Sequence, residues 1–284
     1  MTVETKITEA RKIIREKKND GWTIGLVPTM GALHEGHISL VERSKEENDF
    51  TIVWIFVNPI QFGPNEDFQK YPRTLEKDAE LCKEAGVDMI FAPDPEEILG
   101  ENLLSFVDIN GLCDNLCGSK RPGHFRGVCT IVAKFFNVLT PDRAYFGKKD
   151  IQQYFIIKKM TKDLNFDIEI IPCKIIREND GLAMSSRNTY LTPEERKDAL
   201  VLNRVLKYGA EIIASGNNES KSVISELKKM IGQVKSAKID YVSIVDENMN
   251  DVQIAEKGNI LALAVFIGKT RLIDNHTIGE EICY

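Results

Sequence analysis

The chain has 284 residues, 43% of them hydrophobic and 28% charged, which suits one large packed domain or two smaller ones. Its 37 Lys and Arg against 43 Asp and Glu leave a formal net charge of −6. That balance argues against bulk attraction to nucleic acid or an anionic membrane and leaves room for a local basic pocket for a small anion. No apolar run reaches the length of a membrane span, and the charged start MTVETKITEARKIIREKK lacks the apolar core of a signal peptide. The six cysteines, Cys82, Cys113, Cys117, Cys129, Cys173 and Cys283, are scattered, so free thiols in a reducing cytoplasm are expected. Cys113 and Cys117 would supply half a zinc site, with no second close pair to complete it.

In chain order, ITEARKIIREKK has helical spacing with its charges outward, WTIGLV reads as a buried strand and HISLVERSKEE as a helix. FTIVWIFV is a second strand, rich in β-branched and aromatic residues, and TLEKDAELCKEAG a helix stopped at Gly86. VDMIFAP is a strand, VCTIVAKFFNVL a mostly apolar helix, RAYF a short strand, DIQQYFIIKKMTKDL a helix and DIEIIPCKII a strand. Strands alternating with helices predict right-handed crossovers and a parallel sheet covered on both faces. The rhythm stops near Ile176. Two helical stretches, EERKDALVLNRVLKYGAEIIAS and SKSVISELKKMIGQV, then precede two strand-like runs, IDYVSIVD and ILALAVFI. The expected fold class is therefore α/β, a Rossmann-like doubly wound parallel sheet over residues 1–176 with a smaller C-terminal α+β domain over 177–284.

PTMGALHEGH holds two of the four histidines, His34 and His37, at a strand-to-helix junction. A zinc protease helix spaces its histidines at i and i+4, so the i, i+3 spacing and the interior glycine argue against zinc. A helix N-terminus beyond a strand end suits phosphate instead, and Gly31 and Gly36 permit close backbone approach. The alternative is a satisfied surface pair. In MSSRN, Ser185 and Ser186 offer hydroxyls and Arg187 a planar charged fork for phosphate, or the tetrad is a solvated polar loop. In YFGKKDIQQ, Lys149 follows a strand end as a point charge for phosphate and Gln153 lies one helical turn on, or the lysines are merely solvated. The loop FVNPIQFGPNEDFQKYPRT carries Asn58 and Gln61, neutral groups suited to a small polar substrate, or it is turn chemistry alone. KRPGHFRGV adds Lys120, Arg121 and Arg126 before an apolar helix, with His124 read as structural or secondary.

The HxGH block paired with a late basic-hydroxyl loop resembles the HIGH and KMSKS pair of the nucleotidyltransferase superfamily. All five blocks in order, from PTMGALHEGH to RENDGLAMSSRNTYL and on to TRLIDN, closely resemble the pantothenate synthetase (pantoate–β-alanine ligase) family. That resemblance implies an AMP-forming ligase that joins (R)-pantoate to β-alanine through a pantoyl adenylate, releasing AMP and pyrophosphate, in vitamin B5 and coenzyme A biosynthesis. It implies a lid-forming C-terminal domain, a cytoplasmic homodimer, ATP as substrate and Mg2+ as cofactor, with no nucleic-acid or membrane partner. By the same resemblance ATP contacts fall on Met30, Gly31, Ala32, Leu33, His34, Glu35, Gly36 and His37, on Gly147, Lys148, Lys149 and Asp150, and on Ile176, Met184, Ser185, Ser186 and Arg187. His37 matches the family's proton donor. His34, Lys149 and Arg187 join it as the catalytic set. Gln61 matches the residue shared by pantoate and β-alanine, Gln153 a pantoate contact, and Asn58 and Tyr71 line the same region. Two departures stand out. Relatives carry adjacent acids after YPRT, whereas this chain has Leu75-Glu76-Lys77-Asp78, with Asp78 the one candidate for magnesium; and Cys117 replaces a common acid.

Overall fold

A computed structural model describes residues 1–64 and 66–281; Cys283 lies outside them. The chain divides into two compact units. The first comprises Met1–Ile109, Arg121–Lys148 and Ile156–Lys174, and the second Asn110–Lys120, Lys149–Phe155 and the chain from Ile175 onward.

The first unit is built on β1 (Thr2–Glu4), β2 (Ile24–Thr29), β3 (Phe50–Ile55), β4 (Met89–Phe91), β5 (Arg143–Gly147) and β6 (Glu169–Cys173). They form one sheet in the order β1-β4-β3-β2-β5-β6, and every pair is parallel. β2 and β3 are buried along almost their whole length, which is why IGLVPT and FTIVWI read as continuous apolar runs rather than alternating ones. The crossovers are α1 (Ile7–Asn19), α2 (Glu35–Glu47), α3 (Leu75–Glu84), the short α4 (Pro95–Leu99), α6 (His124–Leu139) and α7 (Ile151–Asp163); α5 (Leu116–Lys120) lies in the second unit, and α7 begins there and ends in the first. On one face Val41 of α2 belongs to one buried cluster with Val27, Val53, Ile90 and Tyr145 of the strands. α6 is apolar almost all round and is correspondingly buried on nearly every side. It starts at His124, four residues ahead of the apolar run that announces it.

From β2 the chain winds one way through β3 and β4, and the other way through β5 and β6. The reversal falls between β2 and β5, whose registers pair Gly25 with Arg143 and Leu26 with Ala144. In open α/β sheets this switch point is where strand ends diverge and a crevice opens. It is also where the HxGH block and Gly147-Lys148 leave the sheet, from the C-terminal ends of neighbouring strands.

In the second unit β7 (Ala237–Val245), β8 (Ile260–Ile267) and β9 (Thr270–Thr277) form an antiparallel sheet in that order. Its core joins Leu202, Val205 and Leu206 of α9 (Val201–Ala214) and Val223, Leu227 and Ile231 of α10 (Ser220–Gly232) to Val242, Ile244, Leu261, Leu263 and Val265 of the strands. The stretch expected as one helix from Glu194 is two. α8 (Pro193–Ala199) opens on a reciprocal Thr192–Glu195 capping box with proline at its first position, and it gives way to α9 at Leu200. Neither β1 nor β9 stands out in the sequence. β1 is three residues long, and β9 (TRLIDNHT) carries buried polar side chains where a strand pattern asks for apolar ones.

Candidate active site

The segment from Met30 to His37 is held by hydrogen bonds to neighbouring side chains. Gly31 (φ 80°) and Ala32 (φ 52°) both take the left-handed conformation, which costs a non-glycine residue about 1–2 kcal/mol. Asp78, from the first turn of α3, offsets that cost. Its carboxylate accepts the backbone N–H groups of Ala32 (2.9 Å) and Leu33 (2.8 Å) and the Thr74 hydroxyl (3.2 Å). Thr29 adds a link, accepting the Gly31 N–H at 3.2 Å and donating to the Trp54 carbonyl at 2.9 Å. A Cβ at Gly31 would stand 3.1 Å from the Asp78 carboxylate. Asp78, the candidate magnesium ligand, is thus 1% exposed and committed to backbone. Among the described residues there is no group of three or more His, Cys, Asp or Glu that could hold a metal ion.

His34 caps α2 in an extended conformation, and the His37 N–H bonds the His34 carbonyl at 2.7 Å. The N–H groups of Glu35 and Gly36 precede the first intrahelical bond. The two imidazoles face each other with centroids 4.1 Å apart. The Nδ1 atom of His37 accepts the His34 backbone N–H at 3.3 Å. With Nδ1 turned to the His34 backbone, Nε2 is the ring nitrogen through which His37 can donate at a helix N-terminus.

Met30, Asn58 and Gln61 come together. Asn58 caps the 3-10 turn Pro59–Gln61, accepting the Ile60 N–H at 3.2 Å, and its amide donates to the Gly127 carbonyl (3.2 Å) and to Oε1 of Gln61 (2.8 Å). Because Oε1 of Gln61 accepts, its other end is the donor, and that Nε2 lies 3.0 Å from the Met30 sulfur. Sulfur is a weak acceptor, so a carboxylate or hydroxyl oxygen would bind this amide better. Tyr71 is buried beside Phe62, ring centroids 6.0 Å apart.

In the second unit the Lys149 ammonium lies 3.5 Å from the Asp150 carboxylate, and the Lys149 carbonyl accepts from the Asn275 amide at 2.9 Å. Gln152 is committed to the backbone: it donates to the carbonyls of Leu112 and Asn115 and accepts the Cys117 N–H, each near 2.8–2.9 Å. Its neighbour Gln153 is half-buried. Ile176 and Met184 are joined by a 2.9 Å backbone bond, and an Arg177–Ala183 bridge closes the hairpin between them. Ser185 caps the 3-10 turn Ser186–Tyr190 by accepting the Arg187 N–H at 3.3 Å. Glu178 accepts from Asn188 (2.6 Å) and Arg196 (2.8 Å), and Asp180 from Arg196 (2.6 Å). Read in sequence as a loop, the segment is a cross-braced element.

Sequence reasoning did not point to Asp78 as an organiser of the loop, nor to Arg177 and Asp274, which pair deep in the second unit. It also left open Cys117, whose sulfur lies 3.3 Å from the Tyr241 hydroxyl and 3.5 Å from the Arg271 guanidinium. Arg271 is held in turn by Asp240 at 2.8 Å. Burial drives the Tyr241 phenol well above its usual range, helped by the adjoining Cys117 sulfur. Cys82, Cys113, Cys117, Cys129 and Cys173 form no disulfide. No helix among the described residues is long and apolar enough to cross a membrane.

The chain matches the pantoate-beta-alanine ligase family model over residues 2–277. It is 53% identical to the pantothenate synthetase of Clostridium novyi (strain NT), covering 95% of this chain and 96% of that protein. It is 53% identical to that of Acetivibrio thermocellus, over 97% and 98%. Among solved structures, the pantothenate synthetase of Thermus thermophilus is 41% identical with a TM-score of 0.93, over 98% of this chain and 99% of that one. The Francisella tularensis enzyme, solved in complex with beta-gamma ATP and beta-alanine, is 35% identical with a TM-score of 0.85, over 100% of both chains. With a match over nearly its whole length, this chain belongs to the pantoate–β-alanine ligase family.

Proposed function

We infer that the chain condenses (R)-pantoate with β-alanine, driven by ATP. A carboxylate is a poor acyl donor, because its charge repels an amine. The pantoate carboxylate oxygen attacks the α-phosphorus, the bond from that phosphorus to the bridging oxygen breaks, and pyrophosphate leaves. The β-alanine amine then attacks the acyl carbon of the adenylate, the acyl–oxygen bond to AMP breaks, and the nitrogen gives up a proton. Both steps need positioning and charge stabilisation rather than a covalent enzyme intermediate.

In this proposal Met30 to His37, Gly147 to Asp150, Ile176 and Met184 to Arg187 bind ATP. His34, His37, Lys149 and Arg187 stabilise charge on its phosphates, and His37 does so through Nε2–H as a hydrogen-bond donor. Gln61 receives pantoate and then β-alanine; Gln153, Asn58 and Tyr71 complete the substrate pocket. Residues 1–176 form the nucleotide- and pantoate-binding domain and 177–284 the lid. Magnesium enters on the nucleotide phosphates, and the enzyme works as a cytoplasmic homodimer.

The single observation that carries the reading is the switch point between β2 and β5, with a histidine-bearing helix N-terminus following one strand and Gly147-Lys148 at the end of the other. AMP release assayed with ATP, pantoate or β-alanine omitted in turn is the test. AMP should require all three in multiple turnover, and steady release without pantoate would overturn the assignment.

A further inference from the structure

We propose that His124, locked in one neutral tautomer by Arg121 and Glu66, positions Gln61 for its substrates. The inference rests on Gln61 being the residue shared by pantoate and β-alanine.

The bond pattern leaves the imidazole one arrangement. Nδ1 of His124 lies 2.8 Å from the backbone carbonyl of Gln61, which can only accept. Nε2 lies 2.9 Å from an NH group of Arg121, which can only donate. Both contacts are satisfied only by a neutral ring protonated on Nδ1; a proton on Nε2 would set two donors face to face. The ring sits in the first turn of α6, where the helix dipole also disfavours a positive charge. Glu66 keeps the arginine in place with a two-pronged contact at 2.6 and 2.7 Å and accepts the Gly63 N–H at 3.1 Å. The line Glu66–Arg121–His124–Gln61 therefore ties Glu66 to the turn that carries the substrate amide. His124 is 8% exposed, so water competes little for either nitrogen.

A second feature fixes the same turn. A Cβ at Gly127 would lie 2.3 Å from the Ile60 carbonyl oxygen and 2.8 Å from the Cα of Gln61. α6 thus meets the turn backbone to backbone, and Asn58 bonds the Gly127 carbonyl across that contact. His124 holds the main chain of Gln61 and Asn58 its side-chain oxygen, which leaves the donor end of the amide presented. Within KRPGHFRGV, Arg121 pairs with the Glu66 carboxylate and His124 alone meets Gln61.

The test compares His124→Asn, whose amide reproduces the Nδ1 donor, with His124→Gln, which keeps the acceptor toward Arg121 and loses the donor. His124→Gln should raise the KM for pantoate about fivefold to tenfold, the scale of one lost hydrogen bond. The KM for ATP should stay within about twofold, and His124→Asn should recover most of the pantoate affinity. Long-range 1H–15N spectra near neutral pH should show His124 neutral with Nδ1 protonated. An Nε2-protonated or charged ring overturns the proposal. So does a wild-type pantoate KM in His124→Gln while Gln61→Ala raises it. If Gln61→Ala itself leaves the pantoate KM unchanged, the reading of Gln61 fails and this inference falls with it. Should the His124 variants not fold, Arg121→Met removes the donor to Nε2 and is read by the same KM comparison: a raised pantoate KM supports the lock, an unchanged one overturns it.

Discussion

Arg177 forks onto both carboxylate oxygens of Asp274, at 2.6 and 3.1 Å, with only 4% and 1% of the two side chains exposed. Arg177 also donates to the Gly181 carbonyl at 3.1 Å, and Asp274 accepts the Asn275 N–H at 2.8 Å. The pair pins the start of the hairpin that leads to Met184–Arg187 onto β9. Removing one partner of a buried pair strands the other charge. Asp274→Asn is expected to lower unfolding free energy by about 3–5 kcal/mol in urea titrations. A loss under about 1 kcal/mol would mean that solvent reaches the arginine.

Asp78 is expected to act through backbone geometry. Asp78→Asn keeps the shape but turns one acceptor into a donor facing an amide. Stability should fall by about 1–3 kcal/mol, and the KM for ATP should rise because the strained turn before His34 relaxes. Denaturation and initial-rate measurements on the same variant check both halves, and an unchanged ATP KM would remove Asp78 from the site's support.

Lys149→Ala should slow single-turnover formation of pantoyl adenylate by about two to three orders of magnitude, the usual effect of losing a transition-state donor. Rapid-quench measurement of the adenylate decides it. An unaltered rate would take Lys149 off the reacting phosphate.

Gly127→Ala puts a methyl group into a backbone contact that has no flexible neighbour to yield. The expected cost is about 1–3 kcal/mol, together with a raised KM for pantoate, since the turn bearing Asn58 and Gln61 must move. Wild-type stability in this variant would show that α6 and the turn stand further apart.

Glu66 gives a pH signature. Burial pushes its carboxyl upward, but the hydrogen bond and charge of Arg121, with the Gly63 N–H and a smaller contribution from His124, outweigh that and leave it below the usual 4.5. A carboxyl lowered on folding contributes stability above its unfolded value, and that contribution is lost as pH falls through the folded value. Urea midpoints of wild type and Glu66→Gln should therefore differ most above about pH 4.5 and converge in more acid solution. A gap that stays constant across that range would show that the Glu66 charge is not what matters.

The parallel sheet, its crossovers and the second α+β unit were legible because buried strands and amphipathic helices leave periodic traces in sequence. β1 was too short to leave one, and β9 is a strand whose buried residues include Asp274, Asn275 and His276. Pattern reading assigns such residues to a surface, and only tertiary partners make their burial tolerable. The helix boundary at Leu200 was hidden because α8 and α9 carry one nearly continuous helical period.

Of the site, the chemistry-bearing side chains were visible as types in motifs: histidines before a helix, lysines after a strand, a glutamine in a proline-rich loop. Their supports were not, because hydrogen bonds such as Asp78 to Ala32, or His124 to Gln61, join residues 46 and 63 positions apart. The amino-acid order alone determined which groups are available and which elements carry them. Folding decided which nitrogen of His37 meets the His34 backbone, which end of the Gln61 amide faces Met30, and that the Asp78 carboxylate holds the backbone of Ala32 and Leu33. Each of those outcomes depends on the direction of a hydrogen bond between particular atoms, and direction exists only once the chain is folded.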